Sequence, residues 1–214
     1  MGTALRRNHP AFILPDAASA VTIGNFDGLH SGHRALIAET VKAKQSLGRG
    51  AQAVVVSFYP HPGEVLGKAG HLPRITTLHQ KMAILSEWGV DLLFLIHFTK
   101  QFSRVTATTF LNEILIGKLK AQSLFIGPDA SVGFKKEGTP EFIKAHLAAL
   151  GKQTHVLSFV DADGSAISSR RIRSLIVEGE VAAASQLLAR PFVYRSRVVR
   201  GDQRGRLLGY PTAN

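Results

Sequence analysis

Five short segments of this chain are apolar on nearly every residue, and helical spacing fills the gaps between them. The segments are AVTIGNF (20–26), AQAVVVSF (51–58), VDLLFLIHF (90–98), AQSLFIG (121–127) and THVLSF (154–159). A strand with no polar face has to be covered on both sides, which is the condition of a parallel sheet between two helical layers. The intervening helices are expected over 31–47, closed by Gly48 and Gly50, over 78–88, closed by Gly89, and over 106–116, stopped by Gly117. A fourth starts at a Thr139 cap with Pro140 in its first position and ends at Gly151. Two short helices are expected at 169–178 and 180–188, and an alternating, arginine-bearing strand at 192–199. The fold class is therefore α/β, with right-handed crossovers and a ligand site at the carboxyl ends of the strands.

Composition narrows the function. None of the 214 residues is cysteine, so disulfides and thiolate metal sites are excluded. The longest strongly apolar run, LLFLI (92–96), is too short to span a membrane. The first twenty residues carry arginines, an apolar stretch and a small-residue triplet, but Pro15 and Asp16 interrupt the apolar part. A cytoplasmic protein is expected rather than a secreted one. The net charge is +11, and nine arginines fall between Ser168 and Arg206. This is either a solvated basic face or a surface for anionic partners such as nucleotides and phosphate esters.

The most informative stretch is VTIGNFDGLHSGH (21–33), where the first apolar strand gives way to the first helix. Gly24, Gly28 and Gly32 would let backbone approach a bound group and take positive φ. The helix start offers unpaired N–H groups and the positive end of a dipole. His30 and His33 add ring donors, so the loop could hold a phosphate. Two other readings stay open: a zinc pair without a third ligand at suitable spacing, and two surface histidines with Asp27 serving as the anion of the helix start. The spacing fits neither a Walker loop nor GxGxxG.

GNFDGLHSGH resembles the HxGH signature of the nucleotidylyltransferase superfamily, and more narrowly the GxFDGxHxGH form of prokaryotic FAD synthetases, bifunctional riboflavin kinase/FMN adenylyltransferases. Four further segments agree in order: SFYPHP (57–62), ITTLHQKMAILSEWGVD (75–91), FTKQFSRVTATTFL (98–111) and ISSRRIRSLIVEGEVAAASQLLARPF (167–192). GDQRGRLLGYPTAN (201–214) is similar to the opening of the riboflavin kinase barrel. The resemblance implies a Rossmann-like nucleotidylyltransferase domain over 1–188 and the start of a riboflavin kinase β-barrel over 189–214. Some 25 residues cannot build that barrel, so riboflavin phosphorylation is not expected of them.

The resemblance also implies the reaction. The phosphate of FMN attacks the α-phosphorus of ATP, with Mg²⁺ shielding the phosphates, to give FAD and pyrophosphate. His30, His33 and Arg171 are the implied catalytic residues. Gly24, Asn25, Phe26, Gly32, Ser168, Ser169 and Arg173 are the implied nucleotide contacts; the two serines could equally cap the next helix, and the arginines could be surface residues. Phe58, His61 and Asp129 stand on the flavin and phosphate side. His61 is either a phosphate ligand or a polar residue fixed between two prolines, and Phe58 either stacks or packs. Thr212 and Asn214 would be metal ligands only in an intact kinase domain. The chain departs from the family pattern twice. GPDASVG (127–133) replaces GxDFRFG, and Arg170 takes the place of the threonine in SSTxIR. Two alternatives follow: an adenylyltransferase for another phosphomonoester, and a non-catalytic nucleotide-binding module. Nucleic acid is not an expected partner, and the sequence fixes no oligomeric state.

Overall fold

The computed structural model describes residues 2–9, 12–15, 17–67, 73–158, 164, 167–195, 197–199 and 209. Its centre is a six-stranded sheet: β1 (Ala4–Arg7), β2 (Ser19–Ile23), β3 (Gln52–Tyr59), β4 (Leu92–His97), β5 (Ala121–Ile126) and β6 (Gln153–Val156). The spatial order is β1-β4-β3-β2-β5-β6, and every pair is parallel.

The pleat divides the core as the sequence pattern requires. Val54 and Val56 of β3 face one layer with Phe94, Leu124 and Ile126, whereas Val55 faces the other with Ala20, Leu93 and Phe125. The second layer is closed by α1 (Ser31–Gln45) through Leu36 and Ile37, and by α3 (Leu78–Glu87) through Leu85; the four-residue α2 (Pro62–Val65) lies between them in sequence. The first layer is closed by α4, which begins as an α-turn at Ala107–Thr109, and by α5 (Pro140–Ala149). A smaller cluster joins α6 (Ser169–Val177) and α7 (Val181–Leu188) to Ile75.

Three expectations need correction. The strand expected at 192–199 is not seen in its described residues, 192–195 and 197–199, which are irregular, with Tyr194 81% and Val198 70% exposed. None of the six described strands lies beside them, and an extended segment without a neighbour has no ladder bonds to hold it. Gly117 does not stop its helix, because α4 continues as a π-helix over Phe110–Lys118. A Cβ at Gly117 would sit 3.2 Å from the Asn112 carbonyl, so glycine here makes room for the wide turn. Finally, residues 4–7 are an edge strand, which the sequence did not suggest; they run beside β4 from Ala4–Leu92 to Arg7–Leu95.

β2 has β3 on one side and β5 on the other, and the chain reaches these neighbours in opposite directions along the sheet. The loop leaving β2 thus opens at a switch point, where such sheets form a crevice.

Candidate active site

The loop from Gly24 to His30 has an unusual backbone. Phe26 (φ 47), Gly28 (φ 81) and Leu29 (φ 45) all take left-handed conformations. Two of these are bulky residues, for which such φ values carry strain of order 1–3 kcal/mol each, held only by strong surroundings. Of the three glycines expected to supply positive φ, Gly28 does, and a Cβ there would also press on Ile75 at 3.1 Å. Gly24 serves differently: a Cβ would meet the Phe26 ring at 3.1 Å. Phe26 itself is buried, with its ring edge-on to His33 at a centroid distance of 5.0 Å.

Four elements distant in sequence hold this strained loop. Lys81 of α3 donates to the Asn25 carbonyl at 2.8 Å and to Ser57 Oγ at 3.2 Å, while Ser57 Oγ donates to the same carbonyl at 3.0 Å. The Asp27 carboxylate accepts from the Ile75 and Thr76 amides and from Arg173 at 3.1 Å. Asp27 is therefore a tether to α6 and to the segment before α3, not the anion of the α1 start. Ser169 Oγ donates to the Asp27 carbonyl at 2.8 Å. Arg190, just past α7, donates to the Leu29 carbonyl at 2.7 Å and to the Gly28 carbonyl.

The tethers deliver the two histidines. The His30 ring caps α1, its Nδ1 accepting the His33 amide at 3.3 Å. That acceptor role places the proton of neutral His30 on Nε2, free to donate outward. His33 stacks on His30 with ring centroids 3.6 Å apart, and its Nδ1 is sealed from solvent without a partner among the described residues. Burial, assisted by the Arg190 cation, lowers His30 to about 4 against the opposing pull of Asp27. Burial also holds His33 well below the ordinary imidazole range, reinforced by His30, Lys81 and Arg190. Both rings are neutral at physiological pH, which suits N–H donation to an anion better than titration does. Gly32 is buried in the first turn of α1.

Beside the loop lies a shallow, open cleft whose lining includes Asn25, Asp27, Lys81 and Arg173 together with Phe58, Tyr59 and Leu95. His61, Glu64, Arg74, Thr76 and Leu78 complete it. Phe58 both lines the cleft and packs edge-on against Phe98 at 5.9 Å. His61 caps the short α2, its Nδ1 accepting from the Gly63 amide at 3.0 Å, and burial lowers its pKa with help from Arg173. The Arg74 guanidinium lies 4.4 Å over the Tyr59 ring.

The remaining expected residues divide. Ser168 caps α6, accepting the Arg171 amide at 3.3 Å, and Arg171 is half-buried in the first turn of that helix. Arg170 is exposed. Asp129 is exposed just past β5 and is not part of the cleft wall. Thr212 and Asn214 lie outside the described residues. Two residues of the site were not foreseen, Lys81 and Arg190. Lys81 stands among apolar residues in LHQKMAILSE, and Arg190 lies between a helix and a proline. Neither context signals burial.

Comparison with known proteins gives this geometry a lineage. The FAD synthetase family pattern matches residues 14–171, and the riboflavin kinase pattern matches residues 188–214. Bifunctional riboflavin kinase/FMN adenylyltransferases from Buchnera aphidicola (subsp. Schizaphis graminum), Listeria monocytogenes and Escherichia coli are 36%, 36% and 33% identical to this chain over 197, 204 and 213 residues. The matches cover 92%, 93% and 98% of this chain but 62%, 62% and 66% of those proteins, so the chain spans slightly under two thirds of their length. A crystal structure described as a macrolide-efflux protein from Streptococcus pneumoniae is similar at a TM-score of 0.82 and 32% identity, covering 100% of this chain and 68% of that one. No described helix of the present chain is long and apolar enough to cross a membrane. His30, His33, Lys81 and Ser169 all fall inside the 14–171 match, and the chain belongs to the FAD synthetase family.

Proposed function

We propose that the chain is an FMN adenylyltransferase acting in the cytoplasm on ATP and FMN. In this reading residues 1–188 form the adenylyltransferase domain, and residues 189–214 begin a riboflavin kinase domain. The observation that carries it is the meeting of two anion-binding helix starts on one loop. α1 begins with a neutral, stacked imidazole pair, and α6 is fastened to the same loop by Ser169 and Arg173.

The reaction needs placement and charge stabilisation more than covalent help. An FMN phosphate oxygen forms a bond to the α-phosphorus of ATP while the bond from that phosphorus to the β-bridging oxygen breaks, releasing pyrophosphate. Negative charge grows on the non-bridging oxygens and on the leaving group. His30 Nε2–H and the first-turn amides of α1 are fixed donors for that charge, and His33 supports the His30 ring. Arg171, at the start of α6, meets the β- and γ-phosphates. Asn25 and Gly24 bound the cradle, and Phe26 supports it from beneath. Ser168 acts by capping α6, and Arg173 by pairing with Asp27. In this reading the cleft with Phe58 and His61 receives the flavin phosphate, and Asp129, exposed past β5, contributes from the flavin side.

Among the described residues no group of three His, Asp or Glu side chains forms a metal cage, and Asp27 is already engaged by donors. Mg²⁺ therefore enters with the triphosphate as part of the substrate, and no step here is assigned to a resident ion.

Incubation of the chain with ATP, Mg²⁺ and FMN tests the reading: FAD and pyrophosphate should appear in equal amounts. Pyrophosphate released only with a different phosphomonoester would shift the acceptor, a result that Ala130, Ser131 and Val132 would explain by the change they make in the family's acceptor-side segment. Nucleotide binding without turnover would remove the catalytic assignment.

A further inference from the structure

The cleft beside the loop has the basic side chains of Arg173, Arg74 and Lys81 in its lining, and they differ in how they are matched. Arg173 is paired with Asp27 at 3.1 Å, and Arg74 approaches Glu64 at 3.7 Å. Lys81 has no carboxylate within bonding distance among the described residues; its two hydrogen bonds go to the neutral Asn25 carbonyl and Ser57 hydroxyl. Yet Lys81 is only 8% exposed. An ammonium has three N–H groups, and no described residue takes the third. A buried cation bonded only to neutral oxygens is costly, and natural proteins keep such groups when an anion completes them.

With Lys81 removed, Ser57 and Asn25 would still bond to each other. Burial lowers the lysine to about 8, with Asp27 opposing and Arg74 assisting, so most of it is still charged at neutral pH. Phe58, Tyr59 and Leu95 are apolar and aromatic members of the same lining. The cleft thus combines apolar surface with a cation bonded to the Asn25 carbonyl of the imidazole loop.

We propose that Lys81 binds the phosphate of the acceptor substrate, its third N–H and the rings of the loop bracketing the attacking phosphomonoester. This rests on the function proposed above and adds to it a residue that contacts the nucleophile rather than the nucleotide. Tethering through Asn25 gives the assignment a geometric consequence: one ammonium joins the acceptor phosphate to the backbone five residues before His30. Binding of acceptor and setting of the imidazole cradle are thereby coupled.

The test compares FMN with riboflavin, which differ only by the phosphate. Flavin fluorescence quenching gives both affinities for the wild type and for Lys81→Met, and calorimetry gives the affinity for ATP. The wild type should prefer FMN over riboflavin by about tenfold or more, the scale of one charge-assisted hydrogen bond. Lys81→Met should bring that ratio within about threefold of unity, leave riboflavin affinity within about threefold of wild type, and lower ATP affinity less than FMN affinity. If Lys81→Met does not fold, Lys81→Gln replaces it with the same expectations. An FMN-to-riboflavin ratio unchanged by the substitution, or a loss that falls on ATP instead, overturns the proposal. If the wild type binds neither flavin, the FMN reading fails, and thermal shift with inorganic phosphate then decides for the lysine. Protection of the wild type but not the variant supports a phosphate site at Lys81; equal protection removes it.

Discussion

Two loops leave the same edge of the sheet from adjacent strands, and they are built in opposite ways. The loop after β2 is buried from Phe26 to His30, and its carbonyls at residues 25, 27, 28 and 29 each accept a hydrogen bond from a side chain at least 32 residues away in sequence. The loop after β5 is anchored only at its base. There Val132 pairs with Gly138, Glu137 accepts the Ala107 amide at 2.8 Å, and Gly133 packs so closely that a Cβ would lie 2.4 Å from that same nitrogen. Its tip, from Pro128 through Asp129, is exposed. The first loop is held as fixed donors for an anion would have to be, while the second is held by fewer contacts. The chain leaves the family pattern just beyond that exposed pair, at Ala130, Ser131 and Val132, the last of them buried and bridged to Gly138.

The largest expected break in this contrast is thermodynamic. His30 titrates near 4 in the fold against about 6.5 when unfolded, so the unfolded chain binds the extra proton between those values. Stability from neutral His30 is complete above about pH 6.5 and is lost as pH falls toward 4, by up to about 3 kcal/mol. His33, shifted in the same direction, adds to the loss. Denaturant melts at pH 7 and pH 4.5 should show the drop, and His30→Ala should flatten it; an unaltered slope in the variant would mean the ring is not buried neutral.

Next comes turnover. His30→Ala removes one outward donor and should lower kcat by about 100-fold with flavin and ATP affinity changed far less. Steady-state FAD formation checks it, and wild-type rates in the variant would take the first loop out of the chemistry. Arg190→Met should cost less, about tenfold in kcat, because it releases two carbonyls without removing a reacting group; KM for both substrates should barely move. The smallest effect belongs to the second loop. Asp129→Ala should leave stability within about 0.5 kcal/mol of wild type, as exposed substitutions do, and raise KM for FMN a few-fold at most. A collapse of activity there would erase the distinction between the loops.

What could be read in advance follows the range of the forces involved. The central strands and their flanking helices were legible because β2 to β5 are buried on both faces, and that condition is written locally in every residue. The histidine loop was legible through its motif. The edge strand β1 was not: it has four residues, two of them arginines, and only its neighbour makes it a strand. The π-helical part of α4 escaped because Leu111, Ile114 and Leu115 are buried in either helical form. Lys81 and Arg190 escaped for a deeper reason, since a basic residue becomes a buried tether only when a carbonyl 56 or 161 positions away arrives beside it. The left-handed turns at Phe26 and Leu29 were hidden in the same way, because tertiary tethers override what those residues prefer alone.

Arg190 has one more implication, for dissecting the molecule. The riboflavin kinase similarity starts at residue 188, but Arg190 grips the histidine loop, and the Phe192 amide bonds back to Ser185. The seam of ancestry and the seam of mechanics therefore differ by several residues. A protease or an engineer cutting at 188 would sever the histidine loop from one of its own fastenings, while a cut after Val193 would keep the Arg190 grip and the Gln80 contact to the Val193 carbonyl.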